Sequence, residues 1–266
     1  MNAPATLSAA VEPVSATRGF NILVVGVGGQ GVLLISKVIA SLGQRLGLDV
    51  KQSEVHGMAK RGGIVFSHVR AAPQVWSPTI AKGEADAVIA LEWAEALRWL
   101  DFLKPNTGLL IADTRRIVPP FACLSRKHGA RTAYTRQTPN DVVGKIARGY
   151  AGDATGIATD LGDARAANTV LLGMLSACLD IPVEDWRTMV ELLVPKKARE
   201  VNLKAFEAGR HWVETADARG EVLPAPGEVA APQVATDVEI ELSIEAAWCK
   251  GCDICVKLCP ERCLAL

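Results

Sequence analysis

The sequence predicts an α/β fold, a mostly parallel sheet covered by helices, followed by a small cysteine-rich module. Three observations carry this. Short apolar runs bounded by turn residues alternate with stretches of helical apolar spacing between Asn21 and Asp113, the pattern of strands buried on both faces beneath helices. A glycine-rich turn joins the first such run to the first helical stretch. Five of the seven cysteines fall between Cys249 and Cys263.

Residues 1–18 are rich in Ala, Ser, Thr and Pro without periodicity and read as a flexible tail. Asn21 to Val25 is a continuous apolar run suited to a buried strand. Val32 to Leu46 places Val32, Ile35, Ile39, Leu42 and Leu46 on one helical stripe, with Ser36, Lys37, Ser41, Gln44 and Arg45 opposite. Asp49 to Val55 and Ile64 to Arg70 read as strands, as do Asp86 to Leu91 and Gly108 to Asp113. Trp93 to Leu103 reads as a helix ended before Pro105. Asp163 to Leu179, Val183 to Leu193 and Lys196 to Trp212 carry helical spacing, with Pro182 and Pro195 near helix starts. These elements make one domain over residues 19–213. Residues 214–240, with Pro224, Pro226 and Pro232, read as a linker or extended arm. Residues 241–266 form the cysteine module.

Composition narrows the function. The 266 residues carry 29 basic and 29 acidic side chains, which argues against a nucleic-acid partner held by bulk positive charge. No run approaches the roughly 20 apolar residues that span a bilayer, and the first residues lack a signal-peptide pattern. The expectation is a cytoplasmic protein with neither nucleic-acid nor membrane partners.

Gly26-Val27-Gly28-Gly29-Gln30-Gly31 satisfies G-x-G-x-x-G between a strand and a helix. Glycines there let the backbone turn tightly and approach a phosphate, whose charge meets the amides of a helix N-terminus. Gly26, Gly28, Gly29, Gln30 and Gly31 are therefore candidate cofactor-binding residues. A dinucleotide site also wants an acid about 20 positions on, and Glu54 stands near that distance. The segment after Glu54 is unusual: Val55-His56-Gly57-Met58-Ala59-Lys60-Arg61-Gly62-Gly63 is a basic, glycine-rich loop where a nucleotide fold would start its next helix. His56, Gly57, Arg61, Gly62 and Gly63 join the candidate set, for an anion or another subunit. A sharp turn with solvated Lys60 and Arg61 is the bland alternative, and Gly62-Gly63 tells against it because paired glycines lose conformational entropy without structural need. The two loops are expected side by side, at the C-terminal ends of neighbouring strands, with Arg61 suited to a bidentate anion contact. His68, within a strand pattern, reads as packed or exposed rather than catalytic; His128 and His211 look incidental. Cys123 and Cys178 read as small buried residues.

Cys249-x-x-Cys252-x-x-Cys255-x-x-x-Cys259-Pro260 is the bacterial ferredoxin cluster run. Three thiolates spaced by two residues converge on one [4Fe-4S] cube, and the fourth usually reaches a second cluster. Zinc would more often show paired C-x-x-C elements well separated in sequence. Cys249, Cys252, Cys255 and Cys259 are the candidate metal ligands of a ferredoxin-like module that stops after its first run, to be completed by a partner, by further sequence or locally by Cys263.

Together, the glycine loop after a buried strand and Ser53 to Gly63 before another resemble the gamma-subunit family of 2-oxoacid:ferredoxin (acceptor) oxidoreductases, fused to a partial delta-type ferredoxin module. The resemblance covers most of residues 20–212. It implies a Rossmann-like domain that does not use NAD as a redox cofactor. Such a domain packs against the alpha and beta subunits that hold thiamine diphosphate and is associated with coenzyme A binding and assembly. The complex decarboxylates a 2-oxoacid, forms an acyl-CoA and passes electrons through [4Fe-4S] clusters to ferredoxin or another acceptor. Catalytic residues are expected on partner subunits and none on this chain. Two alternatives stand beside this: an NAD(P)- or flavin-linked dehydrogenase with a ferredoxin tail, and a non-catalytic electron-transfer adaptor. The 2-oxoacid itself, whether indolepyruvate, 2-oxoglutarate, pyruvate or a branched-chain acid, is not legible.

Overall fold

The structure, a computed structural model, describes residues 18–57, 63–117, 142, 146 and 148–216. Residues 214–216 of the expected linker belong to the last helix, while Cys123, His128, Arg61, Gly62, residues 217–240 of that linker and the whole cysteine run from Cys249 to Cys263 lie outside the described residues. Their expected roles rest on the sequence alone.

Strand β1 (Phe20–Val27) leads through the glycine loop to helix α1 (Val32–Arg45). Strands β2 (Asp49–His56) and β3 (Ile64–Ala72) come next, then β4 (Ala87–Ala90), the short α2 (Trp93–Arg98), a 3-10 turn at Leu100–Phe102, and β5 (Leu109–Asp113). Beyond these come β6 (Arg148–Gly152), α3 (Ala154–Asp160), a 3-10 turn at Ala164–Ala166, α4 (Ala167–Ser176) and α5 (Val183–Leu193). A 3-10 turn at Lys196–Ala198 then opens α6 (Arg199–Ala216).

The sheet order is β2-β3-β1-β4-β5-β6. β1, β4, β5 and β6 run parallel, whereas β3 is antiparallel to both β1 and β2. The α/β class stands, and three of the five strand pairings are parallel as expected, but the reversed β3 makes the sheet mixed. The reason is chain length: a parallel neighbour needs a crossover of a dozen or more residues, and only residues 57–63 separate β2 from β3. They can close only a hairpin.

Alternate residues of the central strands feed two cores. Ile22, Val24, Ile89 and Ile111 face α1, α4, α5 and α6, and pack with Ile35, Ile39, Leu171 and Trp186. Leu23, Val25, Val88 and Leu110 face α2, and pack with Trp93, Ile80 and Leu103. α1 buries its stripe as expected, although Ser36 is also fully buried. Its hydroxyl donates to Leu33 O (3.2 Å) and accepts from Gln52 Nε2 (3.0 Å), which satisfies it in the interior. Among the described residues, no helix is long and apolar enough to cross a membrane.

Candidate functional site

The site is built where β1 ends. Val27 passes into a loop whose Gly29 (φ 100°) and Gly31 (φ 87°) adopt the left-handed conformation that disfavours side chains. Gly31 caps α1: its carbonyl accepts from the amides of Leu34 (3.0 Å) and Ile35 (3.3 Å). A Cβ on Gly29 would meet open space, whereas one on Gly31 would overlap Asn168 Nδ2. Gly26 is tight for a different reason, since a Cβ there would lie 2.9 Å from Gln30 Oε1 and 3.1 Å from Leu91 Cβ.

Gln30 holds the loop to the sheet. Its Oε1 accepts from the Val27 amide (2.8 Å) and its Nε2 donates to the Leu91 carbonyl (2.6 Å), joining the ends of β1 and β4. The carboxamide is committed within the protein.

The second loop does come beside the first. The Gly28 amide donates to the Gly63 carbonyl (2.8 Å), and the Gly57 amide donates to the Ile64 carbonyl (2.9 Å) to close the β2–β3 hairpin. The strands that lead into these loops are not neighbours, however, because β3 lies between β1 and β2. Glu54 and His56 therefore sit on the outer strand, two strand spacings, roughly 10 Å, from β1. Glu54 accepts from Gln52 Nε2 (2.6 Å), and His56 Nε2 stands 3.7 Å from Glu54 Oε2.

Between the glycine loop and the ends of β4 and β5 opens a crevice of about 380 Å³. Residues singled out from the sequence supply Gly28, Gly29 and Gln30. The opposite wall comes from Asp113, Arg115, Thr155 and Asn168, none of which the sequence pattern picks out. Asp113 ends β5 almost wholly buried, accepting from the Arg115 amide (2.9 Å) and the Thr155 hydroxyl (2.6 Å). Burial pushes its carboxyl above the usual carboxylate range, and the two hydrogen bonds hold it back only in part. An acid closing the run Leu-Leu-Ile-Ala-Asp was a readable signal, since strand ends of α/β sheets face their ligand crevices. Asn168 stands in the first turn of a largely apolar helix, a signal of the same kind.

The donors in this crevice outnumber the acceptors at the α1 end. Among the described residues, the amides of Gly29, Gly31, Val32 and Leu33 have no acceptor. This is an arrangement that attracts an anion, because unsatisfied N–H groups and the helix dipole carry partial positive charge there. The exposed Arg115 side chain makes no ion pair with any described residue and stands at the rim. The donor set fits the phosphate of a cofactor such as coenzyme A. No group of three or more His, Cys, Asp or Glu that could hold a metal occurs among the described residues.

His68, expected to be packed or exposed, is buried. Its Nδ1 accepts from the Ile80 amide (3.2 Å), and Phe66, Trp99 and Phe102 surround the ring. Cys178 is buried too, as its apolar surroundings in the sequence suggest.

Comparison with known proteins places this geometry. Residues 21–212 match the family model described as pyruvate ferredoxin/flavodoxin oxidoreductase. "Indolepyruvate oxidoreductase subunit IorB" of Archaeoglobus fulgidus is 41% identical over 197 residues, covering 71% of this chain and 92% of that protein. The Thermococcus kodakarensis protein of the same name is 34% identical over 196 residues, covering 72% of this chain and 95% of the relative. Among solved structures, the gamma subunit of a keto/oxoacid ferredoxin oxidoreductase from Geobacter sulfurreducens PCA superposes with a TM-score of 0.54 at 25% identity. That match covers 74% of this chain and 99% of the other. A 2-oxoglutarate:ferredoxin oxidoreductase from Magnetococcus marinus, solved with 2-oxoglutarate, coenzyme A and succinyl-CoA bound, superposes with a TM-score of 0.55. At 20% identity, over 74% of this chain and 31% of that one, it carries the fold alone.

Proposed function

The chain belongs to the pyruvate ferredoxin/flavodoxin oxidoreductase family as a gamma-type subunit, and from that membership we propose that it serves an aryl 2-oxoacid:acceptor oxidoreductase with indolepyruvate as its substrate class. The observation that carries the substrate is the 41% identity to a protein named for indolepyruvate, over 92% of that protein's length. In this reading partner subunits hold thiamine diphosphate and the 2-oxoacid. The reaction converts 2-oxoacid, coenzyme A and an oxidised acceptor into carbon dioxide, an acyl-CoA and a reduced acceptor. Two electrons leave for [4Fe-4S] clusters and then for ferredoxin or a similar carrier.

The part of this chain is to hold and to conduct. Coenzyme A supplies the thiol that takes the acyl group; the α1 amides would hold one of its phosphates, and Arg115 at the rim would offset further negative charge. Gln30 keeps the loop aligned with β4 while that happens. Cys249, Cys252 and Cys255 would bind one [4Fe-4S] cluster, and Cys259 would reach toward a second. No residue here is assigned a proton-transfer or nucleophilic role. A dehydrogenase would use Glu54 as a ribose ligand, and the strand between it and the glycine loop counts against that alternative.

The test is to purify the chain with its complex and combine native mass spectrometry with turnover on a panel of 2-oxoacids. A hetero-oligomer carrying thiamine diphosphate, with aryl 2-oxoacids preferred and coenzyme A required, is expected. Turnover by this chain alone, or a preference for 2-oxoglutarate, overturns the proposal.

A further inference from the structure

We propose that Asn168 is a ligand residue for a phosphate group, completing an anion site with the open amides at the start of α1. The inference deepens the coenzyme A reading above and rests on it for the identity of the phosphate donor. The chemistry alone asks for a phosphate ester or diphosphate.

Two independent observations meet at this point. The first is the helix end: α1 has 14 residues, and the amides of Gly29, Gly31, Val32 and Leu33 find no acceptor among the described residues. The second is the side chain facing them. Asn168 is 6% exposed, so most of the residue is packed within the domain. Its Oδ1 accepts from the Thr169 hydroxyl (3.2 Å), but its Nδ2 donates to no described residue. That hydroxyl is shared with Asn202 Oδ1 (2.5 Å), a geometry that fixes the orientation of the amide pair around Thr169. Nδ2 is thus an open donor that reaches the crevice from a side chain otherwise packed within the domain. Here Nδ2 lies directly over Gly31, on the wall of the crevice, where a Cβ on that glycine would collide with it.

The roles of Gly31 and Asn168 are therefore linked. Glycine at this position lets the carboxamide come down to the level of the helix amides, so that one anion could be met by backbone donors on one side and Nδ2 on the other. No carboxylate of the described residues competes at that end: Asp113 lines the same crevice, but its oxygens are occupied by Thr155 and the Arg115 amide. Arg115, exposed on the same crevice, would meet a second negative charge on the ligand.

Asn168→Asp, nearly isosteric, replaces the donor with a carboxylate. In the assembled complex, with composition and melting temperature matching the unmodified complex, KM for coenzyme A should rise about tenfold or more with kcat little changed. Inhibition by inorganic pyrophosphate should be lost in parallel. An unchanged KM together with unchanged pyrophosphate inhibition overturns the inference while leaving the coenzyme A reading standing. If the variant fails to assemble, hydrogen exchange on the unmodified complex decides. Slowed exchange at residues 29–33 with pyrophosphate or coenzyme A supports the site, and unaltered exchange with both overturns it. Slowing by pyrophosphate and NAD but not by coenzyme A keeps the phosphate site and overturns the proposed function instead.

Discussion

The Gly28 amide donates to the Gly63 carbonyl across 2.8 Å, so the glycine loop after β1 is fastened to the end of the connection between β2 and β3. Two glycine-rich segments 35 residues apart in the chain thus form one rim. Anything that reorganises one should be felt by the other.

Gln30 is the second fastening, and removing it should matter more to stability than to any direct contact. Gln30→Ala leaves the Val27 amide and the Leu91 carbonyl without partners. The expected loss is about 1–3 kcal/mol, read by denaturant unfolding of the purified chain. A loss well under 0.5 kcal/mol would mean that water replaces both contacts at no cost.

Gly29 and Gly31 share a left-handed backbone but not their surroundings. Gly29→Ala should cost about 1–2 kcal/mol from the backbone alone, whereas Gly31→Ala adds the collision with Asn168 and should cost ~1–3 kcal/mol more. In the double variant Gly31→Ala/Asn168→Ala much of that excess should disappear, a coupling that a double-mutant cycle reports directly. Additive costs would show that the two side chains do not meet.

Burial holds the His68 imidazole below its ordinary pKa. The unfolded chain takes up a proton near pH 6.5 while the native state resists it, so the unfolded state binds more protons as pH falls and stability drops. Asp113 acts oppositely. Its raised carboxyl holds a proton longer in the native state than in the unfolded chain, so its contribution grows as pH falls toward the ordinary carboxylate range. Unfolding of the unmodified chain and of His68→Gln, compared between neutral pH and about pH 5, should show the decline flattened in the variant. Equal slopes would place His68 outside the linkage.

Cys178 is buried, its thiol shared with the Met174 carbonyl at 3.5 Å, and burial pushes its pKa up to about 11. Alkylating reagents attack thiolates, so in the folded chain at pH 8 Cys178 should stay unmodified and should react only after denaturation. Peptide mass spectrometry distinguishes the two. Rapid labelling of Cys178 in the folded chain would contradict its placement.

Much of the domain is legible in the sequence. The run Asn21 to Val25, the stripe of α1 and the span of α5 match the structure almost to the residue, because each shows a clean apolar period. β6 and α3 are not legible. Arg-Gly-Tyr-Ala-Gly has few of the β-branched residues that mark a strand, and Ala-Thr-Gly-Ile-Ala-Thr-Asp is a weak helix former held by its Asp153 cap and by burial of Ala154 and Ala158. The direction of β3 also escapes the apolar pattern, although the seven residues after His56 already limit the connection to a hairpin. The candidate site is half readable. Its glycines announce themselves by spacing, but Asn168 and Asp113 come from distant segments that only the fold brings opposite the loop.

The central claim is that this chain is an obligatory, non-catalytic partner in coenzyme A-dependent oxidation of an aryl 2-oxoacid. The most direct measurement is acyl-CoA formation from indolepyruvate, coenzyme A and an electron acceptor. It should be followed by mass spectrometry for the thiamine-diphosphate partner alone, this chain alone, and the two together. The account predicts the acyl-CoA, one carbon shorter than the 2-oxoacid, only when both are present. Product formed at the rate of the complex by either component alone would contradict it.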